Sequence, residues 1–170
     1  ISNRHSLWYD STARYRELNG LMLDDVLNLM VHSDMHKNWF VSDLDRLILP
    51  AIKNKKLDVL YFSGIPIGMY SHAFLPNKIE DDYVTGRAKL PNHIWRYGPQ
   101  HGTLYIIDFI APFKNTLKVA RWVQRSLTSR YIETYPMDRA YFIRQENNRK
   151  LGYATGVRSE LDIRRFSCVV

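Results

Sequence analysis

Residues 104–113 read Leu104-Tyr105-Ile106-Ile107-Asp108-Phe109-Ile110-Ala111-Pro112-Phe113, and this stretch decides the fold. It is a near-continuous run of β-branched and aromatic residues that ends at a proline and a phenylalanine. A strand exposed on one face alternates apolar and polar side chains, whereas a strand covered on both faces is apolar throughout. The run therefore predicts an interior strand over Leu104–Ala111, with helices on both faces of its sheet.

Asp108 is the one acid inside this apolar run. An ionised carboxylate is costly to bury without a partner, and it would take up a proton instead. Asp108 therefore needs a cation, a set of hydrogen-bond donors, or water. Two interpretations remain open at this point: the carboxylate ties down a neighbouring loop through backbone N–H groups, or it belongs to a functional site.

Two helices are predicted upstream of the strand. Apolar residues at helical spacing over Leu23–Val31 predict the first. Ser42, with Asp45 three residues later, has the pattern of a capping box and predicts the start of the second, which Pro50 is expected to limit or kink. His36 then falls in the connection between the two helices.

A hairpin precedes the strand and a third helix follows it. Leu57–Phe62 and Ile67–Phe74 read as two paired strands around a Gly-Ile-Pro turn. An insertion of uncertain shape follows, with Trp95 as its expected anchor, and Asn115 is expected to cap the third helix. The remaining predicted strands are Ala140–Gln145, Tyr153–Arg158 and Leu161–Phe166. This element order indicates an α/β (α+β) fold.

Length and charge bound the class of protein. The chain has 170 residues, 45% of them hydrophobic and 24% charged, which suits a single domain over residues 1–170 with a sizeable core. No apolar run reaches the ~18 residues that a membrane-spanning helix needs. The formal net charge of +7 favours an acidic partner, and nucleic acid, an anionic membrane surface or an acidic protein would all serve.

Cysteine usage bears on the compartment. Cys168 is the single cysteine, which excludes an internal disulfide and a cysteine metal cluster. No signal peptide is recognisable. We therefore expect a cytoplasmic protein.

Histidine is the residue type that could carry chemistry here. The six histidines do not pair at the spacing of a metal-binding helix, and no calcium loop, phosphate-binding loop or Gly-x-Ser-x-Gly elbow occurs, so we expect no metal. A histidine backed by an acid remains. The carboxylate orients one ring nitrogen, and the other nitrogen takes a proton or attacks a carbonyl. Residue types alone do not choose which histidine serves.

Three ordered motifs resemble those of a known family. They are His36-Lys37-Asn38-Trp39 with Val41-Ser42 and Leu49-Pro50-Ala51-Ile52, then Ile65-Pro66-Ile67 with Ser71 and Ala73, then Ile107-Asp108-Phe109-Ile110-Ala111-Pro112-Phe113. In these motifs and their order, the sequence is similar to the RTX toxin-activating lysine acyltransferases, the hemolysin-activating proteins of Gram-negative bacteria. The resemblance covers residues 25–130 well and the rest loosely.

The resemblance implies a fold, an activity and site residues. It implies a GNAT-like mixed central sheet flanked by helices, and transfer of a fatty acyl chain from acyl carrier protein to internal lysines of an RTX protoxin. The family's essential histidine and aspartate fall on His36 and Asp108, which we expect side by side in an open cleft. Asn38 and Ser71 match further motif positions and are candidate substrate-binding residues. The donor's phosphopantetheine-linked chain is a substrate, so no bound cofactor is expected; a homodimer is compatible with the sequence.

The sequence also departs from the family pattern. His101-Gly102-Thr103 stands where the family has Gly-Asp-Arg, and His72 stands where a tryptophan is expected. The first twenty residues find no clear match. These departures bear on substrate selection and leave the pair of His36 and Asp108 untouched.

Two other functions compete with this interpretation. A CoA-dependent GNAT enzyme needs a glycine-rich turn after the core strand to hold a pyrophosphate at a helix N-terminus. Here the turn reads Phe113-Lys114-Asn115-Thr116 and has no glycine, which disfavours CoA. A non-enzymatic basic module is favoured by the net charge and by an aromatic content of 13%. Its basic residues are dispersed, however, and no nucleic-acid-binding signature occurs.

A basic side of the third helix is the candidate surface for the donor. Lys118, Arg121 and Arg125 fall along one side at helical spacing, and Lys114 precedes them. We expect these residues to contact acyl carrier protein by charge. The alternative is a solvated face that keeps the protein soluble.

Overall fold

The computed structural model describes residues 19–135, 139–144 and 149–154. Its α-helices are α1 (Asn19–Val31), α2 (Val41–Asp43), α3 (Leu49–Lys53), α4 (Asn77–Val84) and α5 (Thr116–Leu127). Two π-helical segments (Leu44–Ile48 and Thr128–Ile132) and two 3-10 helices (Asn92–Arg96 and Pro99–His101) accompany them. Its strands are β1 (Leu57–Phe62), β2 (Ile65–Leu75), β3 (Thr103–Ile110), β4 (Arg139–Arg144) and β5 (Arg149–Ala154).

The strands form one mixed sheet in the order β1-β2-β3-β4-β5. The pairs β1–β2, β2–β3 and β4–β5 are antiparallel, and β3 pairs with β4 in parallel. β3 is thus an interior strand, as its apolar run predicts. The predicted hairpin of β1 and β2 is confirmed as well.

Helices cover both faces of the sheet. On one face, α1 packs Val26 and Leu29 into a core with the α3 residue Ala51. On the other face, α5 packs Val119 and Val123 against the sheet. Burying one such side chain fully stabilises the fold by about 1.5–3 kcal/mol. This is the mixed central sheet flanked by helices that the likeness to GNAT proteins implies.

The second helical stretch begins earlier than predicted. Phe40 is in extended conformation and is the N-cap, and its backbone N–H donates to the Asp43 carboxylate at 3.1 Å. The predicted capping box of Ser42 and Asp45 is therefore wrong by two residues, because Ser42 is already helical.

Pro50 does not end this stretch, which continues to Lys53 through the π-helical segment and α3. A proline has no N–H to give to the carbonyl one turn earlier. The Trp95 indole fills that gap, because its Nε1–H donates to the Arg46 carbonyl oxygen at 3.2 Å. Trp95 is 1% exposed and anchors the insertion as expected.

The last elements depart most from the sequence predictions. β5 spans Arg149–Ala154, so the predicted start at Tyr153 is wrong by four residues, and the predicted end at Arg158 lies outside the described residues. β4 spans Arg139–Arg144 and begins one residue before the predicted start; the predicted last residue, Gln145, is also outside the described residues. The predicted strand Leu161–Phe166 lies outside the described residues.

Candidate active site

A β-bulge determines which way Asp108 points. Ser71 of β2 pairs with Asp108, while the next residue, His72, pairs with Ile106, so Ile107 is an extra residue in β3. A bulge shifts the alternation of side chains by one position. Asp108 consequently lies beside Ser71 on the sheet face that α1 covers.

The connection between α1 and α2 brings His36 to the same place. Its backbone N–H donates to the Ser33 carbonyl oxygen at 3.0 Å, and its own carbonyl oxygen accepts from the Trp39 N–H at 3.0 Å. These two turns fix the backbone on either side of the imidazole. The Trp39 ring packs against that imidazole, with the ring centroids 4.7 Å apart.

The imidazole has a neighbour at each nitrogen. Nδ1 is hydrogen-bonded to the Ser33 hydroxyl at 2.7 Å. Nε2 lies 3.7 Å from Asp108 Oδ1. That separation exceeds the 2.7–3.2 Å typical of a hydrogen bond. The ring and the carboxylate thus face each other without a hydrogen bond between them, and Nε2 has no hydrogen bond to any residue that the structure describes.

The second carboxylate oxygen of Asp108 is held by Ser71. The Ser71 hydroxyl donates to Oδ2 at 3.2 Å and accepts the Asp108 backbone N–H at 3.2 Å. The buried acid therefore has the donor that it needs. Tyr83 of α4 lies close enough for the same charge to act on it. Burial, followed by the charge of Asp108, raises the pKa of Tyr83 to about 12.

Solvent has little access to this pair. His36 is 5% exposed and Asp108 is 7% exposed. The two residues are side by side as predicted, but the site is more enclosed than the expected open cleft. In such surroundings charge interactions are stronger than at the surface.

The other predicted site residues divide into two groups. Ser71 is hydrogen-bonded to Asp108 of the pair. The Asn38 side chain, two residues after His36, is exposed. The basic residues of the third helix line an open surface depression of about 570 Å³ together with Asn115, Thr116 and Leu117. These basic residues are Lys114, Lys118, Arg121 and Arg125. The Asn115 side chain does not cap α5; its Nδ2 donates to the Ile67 carbonyl oxygen at 2.8 Å.

Two residues near the pair were missed from the sequence. Ser33 precedes His36 by three residues, a spacing that one turn brings together, but serines are too common for this spacing to be a signal. Tyr83 falls in the insertion, whose shape the sequence did not predict. Within residues 19–135, 139–144 and 149–154, no group of three His, Cys, Asp or Glu side chains could hold a metal ion.

His72, the predicted departure from the family, lies on the opposite sheet face. It is fully buried, and its Nε2 is hydrogen-bonded to the Tyr131 hydroxyl at 2.8 Å. It is therefore separated from His36 and Asp108 by the sheet itself.

Among the described helices, none is long and apolar enough to cross a bilayer.

An imidazole that faces a buried carboxylate can accept a proton and have the resulting charge stabilised. The sequence model of the RTX toxin acyltransferase family matches residues 17–151. The chain belongs to this family of acyltransferases.

Named relatives agree with this assignment. A leukotoxin-activating lysine-acyltransferase of Mannheimia haemolytica serotype A1 is 27% identical over 135 residues, 79% of this chain and 77% of the relative. An RTX-II toxin-activating lysine-acyltransferase of Actinobacillus pleuropneumoniae is 32% identical over 118 residues, 68% of this chain and 72% of the relative. A protein-lysine myristoyltransferase of Kingella kingae is 27% identical over 103 residues, 61% of this chain and 60% of the relative.

Proposed function

We propose that this protein moves a fatty acyl chain from acyl carrier protein to internal lysines of an RTX protoxin. One observation carries the proposal: in a chain of the RTX toxin acyltransferase family, the imidazole of His36 faces the buried carboxylate of Asp108 at 3.7 Å. Acylation of a lysine amine needs a group that removes a proton from the attacking nitrogen. His36 can do this, and the neighbouring Asp108 carboxylate can stabilise the charge that the imidazole then carries.

In the proposed reaction, His36 Nε2 takes a proton from the lysine ammonium, and the free amine attacks the thioester carbonyl. The new C–N bond forms, the C–S bond breaks, and the imidazolium gives its proton to the departing thiolate. The attacking nitrogen releases its second proton to solvent as the amide forms. Asp108 attracts the ammonium and then stabilises the imidazolium. An alternative order, in which Nε2 first accepts the acyl group, uses the same nitrogen. Ser33 holds Nδ1 and so fixes the ring in both orders.

The test of the reaction is intact-mass analysis of a candidate protoxin incubated with this protein and acyl-loaded carrier. His36→Ala should abolish the added mass. Asp108→Asn should slow transfer by about a hundredfold or more, because acids that support a catalytic histidine have effects of this order. Circular dichroism should show that both variants remain folded. Full transfer by His36→Ala would overturn the proposal.

The basic depression supports acyl carrier protein as the donor. It combines four cationic side chains with the N-terminus of α5, and it directly follows the strand that carries Asp108. Such a surface attracts an acidic carrier and its phosphate-containing arm. The turn that would hold a CoA pyrophosphate in a GNAT enzyme has Lys114 and Asn115 in place of glycine.

The docking surface is tested by charge reversal. Arg121→Glu combined with Arg125→Glu should raise the apparent KM for the loaded carrier and leave folding unchanged. The effect should shrink as salt rises, because exposed charges are screened over about 10 Å at 0.1 M salt. Lys53→Glu combined with Lys55→Glu makes the same charge change on another surface and is the matched control. Normal transfer by the first double variant at low salt would place docking elsewhere.

A further inference from the structure

Six large apolar side chains are exposed on the segments that carry the His36–Asp108 pair; Phe40 and Val41 follow His36, and the other four precede His36 or follow Asp108. Val31 and Met35 are 66% and 60% exposed, and Phe113 and Leu117 are 46% and 73% exposed. We call these four residues the collar. Single exposed apolar side chains are ordinary on protein surfaces. The position of the collar, rather than the exposure of any one member, is what calls for an explanation.

The collar is built from the two segments that also carry the pair. Val31 and Met35 lie within five residues of His36, and Phe113 lies five residues after Asp108. The Phe113 ring contacts the His32 ring, with centroids 5.4 Å apart, which joins the two segments at the surface. The collar is therefore continuous with the end of α1, the connection that holds His36, and the turn after β3.

The collar also borders the basic depression. Leu117 lines that depression, and Phe113 immediately precedes Lys114. The depression itself is lined mainly by charged and polar side chains. A second open depression is likewise lined mainly by polar and charged residues such as Asp45, Lys53 and Arg96. Neither of these two depressions offers an apolar sleeve, whereas the collar is exposed apolar surface on the segments that carry the pair.

We propose that the collar binds the alkyl chain of the acyl donor, an inference that rests on the proposed function. The thioester carbonyl must reach His36 Nε2, so the first carbons of the chain pass the residues beside that histidine. Charge complementarity assigns the basic depression to the acidic carrier and its phosphate. The alkyl chain, which is the uncharged part of the donor, then lies on the adjoining collar.

A chain on an open surface has a recognisable dependence on length. Burying one methylene fully is worth about fourfold in binding, and a methylene covered on one side only is worth about twofold. The collar has no end wall formed by its four residues. The specificity constant kcat/KM should therefore rise gradually with chain length, without a sharp limit at one length.

The experiment compares butyryl, octanoyl and tetradecanoyl chains on the same acyl carrier protein. For the unmodified protein, the ratio of kcat/KM for tetradecanoyl to that for butyryl should be large. In Met35→Gln combined with Leu117→Gln, which changes one residue on each side, this ratio should fall tenfold or more. Leu49→Gln makes the same leucine substitution in the second depression, at 41% exposure, and should leave the ratio unchanged. Because both chains are delivered by the same carrier, a general loss of carrier docking lowers both kcat/KM values equally and leaves their ratio unchanged.

Binding of tetradecanoyl-pantetheine amide, which cannot transfer its chain, gives a readout independent of activity. The collar variant should bind it at least tenfold more weakly than the Leu49→Gln protein does. An unchanged ratio and unchanged amide binding would overturn the proposal. A lower melting temperature of the collar variant together with an unchanged kcat/KM ratio would also overturn the proposal, because another part of this chain would then cover the collar. A raised KM for the protoxin at every chain length would identify a peptide surface instead. Loss of all transfer by the unmodified protein would contradict the proposed function, whereas the amide would still test the collar.

Discussion

At the scale of single residues, the imidazole of His36 is hydrogen-bonded at one nitrogen only within the described part of the chain. The Ser33 hydroxyl occupies Nδ1 at 2.7 Å, and Asp108 faces Nε2 across 3.7 Å. In a triad with an orienting acid, the acid bonds the nitrogen that is remote from the reaction. Here the neutral Ser33 hydroxyl bonds that nitrogen instead. Ser33 therefore orients the ring, whereas Asp108 supplies the charge that acts on it.

Ser33→Ala should therefore separate orientation from charge. Removing one hydrogen bond of this kind costs about 0.5–1.5 kcal/mol, or roughly two- to tenfold in kcat. Ser33→Thr retains the hydroxyl and should restore most of the rate. Steady-state kinetics would measure both effects. Ser42→Ala removes an exposed serine from α2 and should behave as the unmodified protein. An unchanged rate in Ser33→Ala would leave the serine with no part in positioning.

Sequence reasoning brought His36 and Asp108 together but missed the detail around them. Two motifs in a fixed order identified His36 and Asp108 as a pair. The argument that a buried acid needs a partner supports the same pairing. The bulge at Ile107 has no sequence signal, because the run is apolar apart from Asp108 and a shifted alternation looks the same as a regular one. The roles of His36 and Asp108 in the reaction stay predictions.

At the scale of elements, α5 approaches β2 unusually closely through Gly68. A Cβ built on that glycine would lie 2.6 Å and 2.8 Å from the two γ-methyl groups of Val119, and 3.1 Å from the Ile110 carbonyl oxygen. Only a residue without a side chain fits this contact as it stands. The glycine is part of what sets the distance of α5, and with it the basic depression, from the sheet.

Gly68→Ala should accordingly destabilise the protein. Overpacking of this kind costs typically about 1–3 kcal/mol. Val119→Ala alone should destabilise through the cavity that it leaves. The double variant should lose less than the sum of the two, because each change relieves the other. Urea unfolding of the four proteins gives the coupling free energy, and simple additivity would show that the two residues are not in contact.

Element prediction succeeded where the hydrophobic pattern is strong and failed where distant groups decide. β1, β2, β3 and α5 follow directly from their apolar residues. The continuation of helix through Pro50 depends on Trp95, which lies 49 residues away from Arg46 and donates to its carbonyl oxygen. No local pattern contains that information. The start of β5 was misplaced because its residues, Arg149–Ala154, alternate only weakly.

At the scale of the whole molecule, the two faces of the sheet carry different polar groups. The α1 face holds the His36–Asp108 pair. The α5 face holds His72, and the titratable groups around it come from every neighbouring element. They are Lys56 before β1, Asp58 on β1, Tyr70 on β2, and Arg130 and Tyr131 after α5. Arg130 is paired with Asp58 at 2.8 Å and 3.2 Å, which leaves Lys56 as the excess cation of this group.

Burial, followed by the charges of Lys56 and Arg130, holds the pKa of His72 well below its usual value. The Nδ1 atom of His72 is buried and has no hydrogen-bond partner in the part of the chain that the structure describes. Burial, followed by the charge of Arg130, likewise lowers the pKa of Lys56 to about 8. Lys56 lies over the Phe74 ring, 4.4 Å from its centroid, and forms no ion pair with a described residue. Both groups therefore bind a proton more weakly in the folded protein than in the unfolded chain.

The stability of the fold should rise with pH in two windows. An unfolded histidine binds a proton below about pH 6.5 while folded His72 stays neutral, so acidification below that pH favours the unfolded chain by up to about 1.4 kcal/mol per pH unit. Between about pH 8 and pH 10.4 the unfolded lysine is protonated and folded Lys56 is not, so stability rises again through that window. Urea unfolding at pH 5, 6, 7, 8 and 10 would measure both slopes. His72→Phe should flatten the acidic window, Lys56→Met should flatten the alkaline one, and His93→Gln, at an exposed histidine, should change neither. An acidic slope that survives in His72→Phe would assign the effect to the carboxylates instead.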